Sequence, residues 1–164
     1  MEIAAKFLEL SCQKAWEYQA LTYPNPAVGA AVVKNGAMLS LEAHKKAGEP
    51  HAEVEALKVA FFALSNDSDK KELLFKLQTS HEIHDFLKQN ATTLFNDCDI
   101  YVTLEPCAHE GRTPSCAKLL STLKPQCVIV GAKEQNIEAI GGCDILSQRT
   151  VHQWECKHDQ KSLA

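Results

Sequence analysis

The sequence predicts a single layered α/β domain built on a sheet of mixed strand direction. Three observations carry that expectation. Short, nearly continuous apolar runs at Val28–Val33, Ile100–Leu104 and Cys127–Val130 have the length and composition of buried strands. Segments with helical spacing alternate with these runs, as in layered α/β architectures. An Asn35-Gly36 pair separates the first run from Ala37–Leu41, a two-residue hairpin signal that makes the sheet begin antiparallel.

Taken in order, residues 2 to 20 read as a helix, because Ile3, Phe7 and Leu10 fall along one stripe. Thr22-Tyr23-Pro24-Asn25-Pro26 ends it, since two prolines so close force an extended loop. After the hairpin, a second helix is expected from Pro50-His51 through Glu53, Val54, Leu57, Ala60 and Phe61, with proline suited to its first turn. Ser115–Leu123 is the next helix of the alternation, between the strands at Ile100 and Cys127. Residues 62–97 fit the alternation poorly. Leu73, Leu74 and Leu77, then Ile83, Phe86 and Leu87, suggest two short amphipathic helices, so the stretch reads as an insertion between a core helix and a core strand. His81-Glu82-Ile83-His84 lacks the two-residue gap of a zinc-protease motif and is expected on a helix surface. The domain is taken as 1–148, with 149–164 a polar tail or the start of a linker.

At 164 residues the chain suits one domain, and 45% apolar with 23% charged residues is an ordinary globular balance. A net charge of -4 argues against a general nucleic-acid or anionic-membrane binder, because both need clustered Lys and Arg. No run is long enough to span a bilayer, and the amphipathic start lacks the pattern of a signal peptide. The seven cysteines form no regular disulfide framework, so a reducing cytoplasm and a metal are the expected setting and use.

The chemistry concentrates in His51-Ala52-Glu53, Pro106-Cys107 and Cys116, with eight residues between the two cysteines. One imidazole and two thiolates suit Zn²⁺, and three protein ligands leave a fourth position open, as catalytic sites require. Water there ionises near neutral pH. Glu53 lies two positions beyond His51 and so does not share its helix face; it is placed to shuttle protons between water and a leaving amine. A helix start at Cys116 would favour its thiolate. The competing reading is a structural zinc site, which needs a fourth protein ligand, and His109 is the candidate for it. For each loop residue the competing reading is a solvated polar side chain.

His-x-Glu followed by Pro-Cys resembles the cytidine deaminase superfamily, whose usual cysteine gap is two residues rather than eight. The run Pro106-Cys107-Ala108-His109-Glu110-Gly111-Arg112-Thr113-Pro114-Ser115-Cys116 is similar to the deaminase domain of the bifunctional riboflavin biosynthesis (RibD) family. So are Pro24-Asn25-Pro26-Ala27-Val28-Gly29-Ala30, His44, and Ala47-Gly48-Glu49-Pro50-His51-Ala52-Glu53. The resemblance implies a three-layer cytidine deaminase-like fold, with a mixed central sheet and helices on both faces. It implies zinc held by His51, Cys107 and Cys116, and Glu53 as the catalytic residue. It implies hydrolytic deamination of 2,5-diamino-6-ribosylamino-4(3H)-pyrimidinone 5′-phosphate, with Asn25, His44, His109, Arg112 and Asn136 in the substrate pocket. Homodimers or tetramers are implied too, as is an NADPH-dependent reductase domain that these 164 residues do not contain. The rival readings are another zinc deaminase (guanine, dCMP or tRNA adenosine) and a non-catalytic zinc-stabilised domain. The cysteine gap and Gly111-Arg112-Thr113-Pro114 oppose the first, and a carboxylate beside the metal opposes the second.

Overall fold

The computed structural model describes residues 2–146 and the backbone of residues 151–153. Along the chain run α1 (Glu2–Trp16), β1 (Gly29–Lys34), β2 (Ala37–Ala43), α2 (Ala52–Leu64), α3 (Ser68–Lys76) and α4 (Ser80–Asn90). They are followed by β3 (Cys98–Leu104), α5 (Cys116–Leu123), β4 (Cys127–Ala132), α6 (Gly142–Leu146) and β5 (Val151–Gln153). The strands form one sheet in the order β2-β1-β3-β4-β5. β1 is antiparallel to both β2 and β3, whereas β3, β4 and β5 are parallel, so the direction is mixed as expected.

Alternation along the strands sorts the core into two layers. Ala30, Val32, Ile100, Val102, Val128 and Val130 face the layer of α2, α4 and α5. Ala31, Val33, Tyr101 and Ile129 face the other way, onto Leu8 of α1. Helices therefore cover both faces of the sheet. α1 sits so close that a Cβ on Gly29 would come within 1.9 Å of the Ser11 carbonyl oxygen. The hairpin is built as its sequence demands, with Asn35 and Gly36 both at positive φ (51° and 76°).

Several boundaries differ from expectation. α1 ends at Trp16 and residues to Pro24 turn, because the apolar stripe stops before the prolines. Pro50 precedes α2, with His51 as its N-cap. The two helices expected within 62–97 are present as α3, capped by Asp67, and α4, which begins with a Thr79–Glu82 capping box. They are not superficial. Leu74, Ile83, Phe86, Leu87 and Phe95 join the same core as α2 and α5. In the segment expected on a helix surface, His81 and Glu82 are exposed but Ile83 and His84 are fully buried, because the inner face of α4 packs on α2 and α5. Within the stretch expected to be a polar tail, Val151–Gln153 adds a fifth strand beside β4; the rest of 149–164 lies outside the described residues. No helix among the described residues is long and apolar enough to cross a membrane.

Candidate active site

The end of β3, continuing through Glu105 and Pro106, carries Cys107 to the edge where α2 and α5 begin, the usual place for a site on such a sheet. Cys116 is the first residue of α5, behind the N-cap Ser115. Ser115 Oγ accepts from Lys118 N at 3.2 Å and donates to the Cys107 carbonyl at 2.8 Å. Ala117 N donates to the same carbonyl at 3.1 Å, and Cys116 N to Cys107 Sγ at 3.4 Å. The loop between the cysteines is thus closed at its base.

His51, Cys107 and Cys116 come together, with their ligand atoms within 4.8 Å of one another. His51 Nδ1 lies 3.7 Å from Cys107 Sγ and 3.6 Å from Cys116 Sγ. A tetrahedral zinc with bonds of about 2.0 Å to nitrogen and about 2.3 Å to sulfur places such atoms ~3.5 Å apart. The donor set and its spacing therefore fit zinc. His109 is not in this cluster; it stands exposed on the rim of the adjoining cavity.

The two thiols are unequal. A hydrogen bond from Cys116 is the main cause that pushes Cys107 down to about 4; burial opposes it, and His51 and the Cys116 amide assist. The same hydrogen bond, with burial, pushes Cys116 well above the ordinary thiol value. The helix start was expected to favour the thiolate of Cys116. The first amide of α5, Cys116 N–H, points at Cys107 Sγ, so the helix start favours the thiolate of Cys107 as well. Burial pulls the His51 imidazole down, but the Cys107 sulfur and the Glu53 carboxylate outweigh it and leave it above its ordinary value.

Glu53, the second residue of α2, is only 3% exposed. Burial raises its carboxyl to about 7, with His51 pulling the other way. Such a group exchanges protons readily at neutral pH. It lines a cavity of about 490 Å³, the size of small-molecule sites.

The other expected contacts all line this cavity. His44 is buried, and its Nδ1–H donates to the Pro50 carbonyl at 3.1 Å. That fixes Nε2 as an acceptor for Asn25 Nδ2 at 3.3 Å, and burial keeps the ring neutral by lowering its pKa. Asn25 and Arg112 are exposed at the rim. Asn136 reaches the cavity, but its Oδ1 accepts from Glu138 N at 3.1 Å and so shapes its own turn.

Two residues escaped the sequence reading. Thr113 Oγ1 lies 3.3 Å from His51 Nε2. Glu105 is buried and grips two loop amides, accepting from Glu134 N at 3.0 Å and Cys143 N at 2.8 Å. An acid at a strand end two residues before Cys107 was the available signal for Glu105; for Thr113 no local signal existed, because its partner is 62 residues away.

Residues 1–132 match the family model described as the cytidine and deoxycytidylate deaminase zinc-binding region. Riboflavin biosynthesis protein RibD of Aquifex aeolicus is 35% identical over 135 residues, covering 82% of this chain and 29% of that protein. The chloroplastic riboflavin biosynthesis protein PYRD of Zea mays is 34% identical over 143 residues, covering 83% of this chain and 29% of that one. The chain thus spans under a third of the length of these curated relatives. A solved structure of Acinetobacter baumannii RibD superposes with a TM-score of 0.70 at 30% identity, covering 94% of this chain and 36% of that one.

Proposed function

The chain belongs to the family of cytidine and deoxycytidylate deaminases with a zinc-binding region, and from that premise we propose that it deaminates a pyrimidine ribotide of riboflavin synthesis. The substrate in this reading is 2,5-diamino-6-ribosylamino-4(3H)-pyrimidinone 5′-phosphate. The observation that carries the reading is the buried Glu53 carboxyl beside a His51, Cys107 and Cys116 donor set spaced for zinc, at a cavity of about 490 Å³.

His51 would hold the metal through Nδ1, and Cys107 and Cys116 through their sulfurs. When bound, zinc supplies the Lewis acidity that lets water attack at neutral pH. Glu53 takes a proton from that water as its oxygen adds to C2 of the ring, and delivers it to the neighbouring ring nitrogen. It then moves the second proton to the 2-amino group. The C2–N bond breaks, ammonia leaves, and the carbonyl of the pyrimidinedione remains. A carboxyl titrating near 7 can both accept and return a proton in one cycle.

Asn25 and His44 form one wall and fix the ring's orientation, Asn25 being held by His44 and His44 by Pro50. Arg112, planar and permanently charged, is assigned to the phosphate, with His109 and Asn136 on the ribose side. A cytoplasmic setting, a homo-oligomeric assembly and a reductase that consumes the product belong to the same proposal.

The test is direct. Purified protein is expected to carry about one zinc per chain and to release ammonia from the ribotide. Turnover of free guanine in place of the ribotide would overturn the substrate assignment.

A further inference from the structure

The zinc ligand His51 has two ring nitrogens, and only one faces the sulfurs. Nδ1 is 3.7 Å and 3.6 Å from the two thiol sulfurs, while Nε2 points away, 3.3 Å from the hydroxyl oxygen of Thr113. We infer that Thr113 is a positioning residue for the metal site: its Oγ1 accepts the Nε2 proton of His51 and holds the imidazole with Nδ1 turned to the metal. The inference rests on the zinc reading above.

The chemistry requires such a partner. A neutral imidazole carries one proton, and a metal can use only the nitrogen without it. An acceptor on Nε2 keeps the proton there and leaves the Nδ1 lone pair free. It also stops the ring from rotating about its Cβ–Cγ bond, which would carry both nitrogens off their targets. The backbone at His51 does not supply this restraint, since it is the extended N-cap of α2 and its side chain makes no capping bond.

Thr113 is well suited to the task. Its own carbonyl accepts from Gly111 N at 3.1 Å, and Pro114 and the α5 N-cap Ser115 follow it directly, so its backbone is fixed on both sides. β-branching limits χ1 and keeps the hydroxyl aimed. The loop between Cys107 and Cys116 therefore supplies both sulfurs at its ends and the orienting hydroxyl for the third ligand within it.

Thr113→Val removes the acceptor while keeping shape, and Thr113→Ser restores it. Zinc affinity, measured by competition with a chromophoric chelator, is expected to fall roughly 10–100-fold in Thr113→Val and to stay within about threefold of wild type in Thr113→Ser. In the zinc-loaded protein, long-range ¹H–¹⁵N spectra are expected to show a His51 Nε2 proton that exchanges slowly with solvent in wild type and faster in Thr113→Val. The inference is overturned if Thr113→Val binds zinc as wild type does, if Thr113→Ser is as weak as Thr113→Val, or if the Nε2 proton exchanges as fast in wild type as in Thr113→Val. Wild type that holds no zinc at all would refute the underlying metal reading instead, and that outcome is distinct from the others.

Discussion

Replacing Glu105 by Gln is expected to loosen the wall of the cavity formed by residues 134–139 and to lower the stability of the chain by about 3 kcal/mol. The figure comes from two bonds. Glu105 Oε2 accepts Glu134 N–H at 3.0 Å and Oε1 accepts Cys143 N–H at 2.8 Å, both to one buried carboxylate. A hydrogen bond to a charged group contributes about 1.5–3 kcal/mol, and a neutral one about 1 kcal/mol. Glutamine keeps one oxygen, so one bond weakens to a neutral one, while the other amide meets an NH₂ and loses its partner. Relaxation cannot easily rescue it. The returning chain is wedged against the β3 end, where a Cβ on Gly142 would come within 1.7 Å of the Pro106 carbonyl oxygen. For a chain of this size ~3 kcal/mol corresponds to a fall in Tm of about 6–12 °C. Burial pushes the Glu105 carboxyl up, but the amides of Cys143 and Glu134 outweigh it and leave it below its ordinary value. Its stabilisation is therefore complete above the ordinary carboxylate range and is lost as pH falls through the lowered value. Thermal melts across pH check the sign, with wild type and Glu105→Gln converging in acid. Amide exchange at Glu134 and Cys143 locates the effect. A variant melting within 1 °C of wild type at neutral pH, with both amides still protected (about 1 °C being under half a kcal/mol here), would refute the clamp.

Glu53→Gln is expected to keep its zinc and to lower ammonia release by about 10²–10⁴-fold; turnover equal to wild type would remove Glu53 from the chemistry. Because its carboxyl sits at about 7 and must be ionised to accept the first proton, wild-type kcat/KM is expected to fall as pH drops through that region, with the limb absent in the variant. Cys116→Ser is expected to lose most of its bound zinc, measured by metal analysis after dialysis, and unchanged content would sink the ligand set. His84 is fully buried, has no protein partner at either ring nitrogen, and is pushed down to about 4 chiefly by burial. His84→Leu is therefore expected to raise stability by about 1 kcal/mol or more at neutral pH. The gain grows as pH falls below about 6.5, where the unfolded chain takes up a proton that the folded His84 resists. A Tm at or below that of wild type would count against this.

Much of the architecture was legible because it rests on local periodicity. The hairpin at Asn35-Gly36 and the buried runs of β1, β3 and β4 need only short apolar stretches and a turn, and both are written in adjacent residues. The role of α4 was not. Its apolar stripe was visible, but whether a stripe covers a core or a surface depends on α2 and α5, which are remote in sequence. The same division runs through the site. The residue types of His51, Cys107 and Cys116 suggested a donor set, whereas the inequality of the two sulfurs depends on the hydrogen bond between them and on their burial. β5 is not legible, because three residues in a polar stretch carry no periodic signal.

The eight-residue interval between the cysteines looked at first like a departure from a narrower metal motif, and the structure gives it a physical account. Metal geometry constrains only the two ends of the loop, and three bonds to Cys107, from Ser115 Oγ, Cys116 N and Ala117 N, close those ends without reference to what lies between. The cost of closing a loop grows only with the logarithm of its length, about 0.6 kcal/mol per doubling, so a longer interval is tolerated. What the added length supplies is lining: His109, Arg112 and Thr113 all reach the cavity from it, one of them onto His51 itself. Shortening this loop to two residues would leave the sulfurs able to meet one ion, yet it would strip the cavity of its cation and His51 of its hydroxyl partner. The interval therefore bears on what the site can bind and how its imidazole is held, rather than on whether a metal can bind at all.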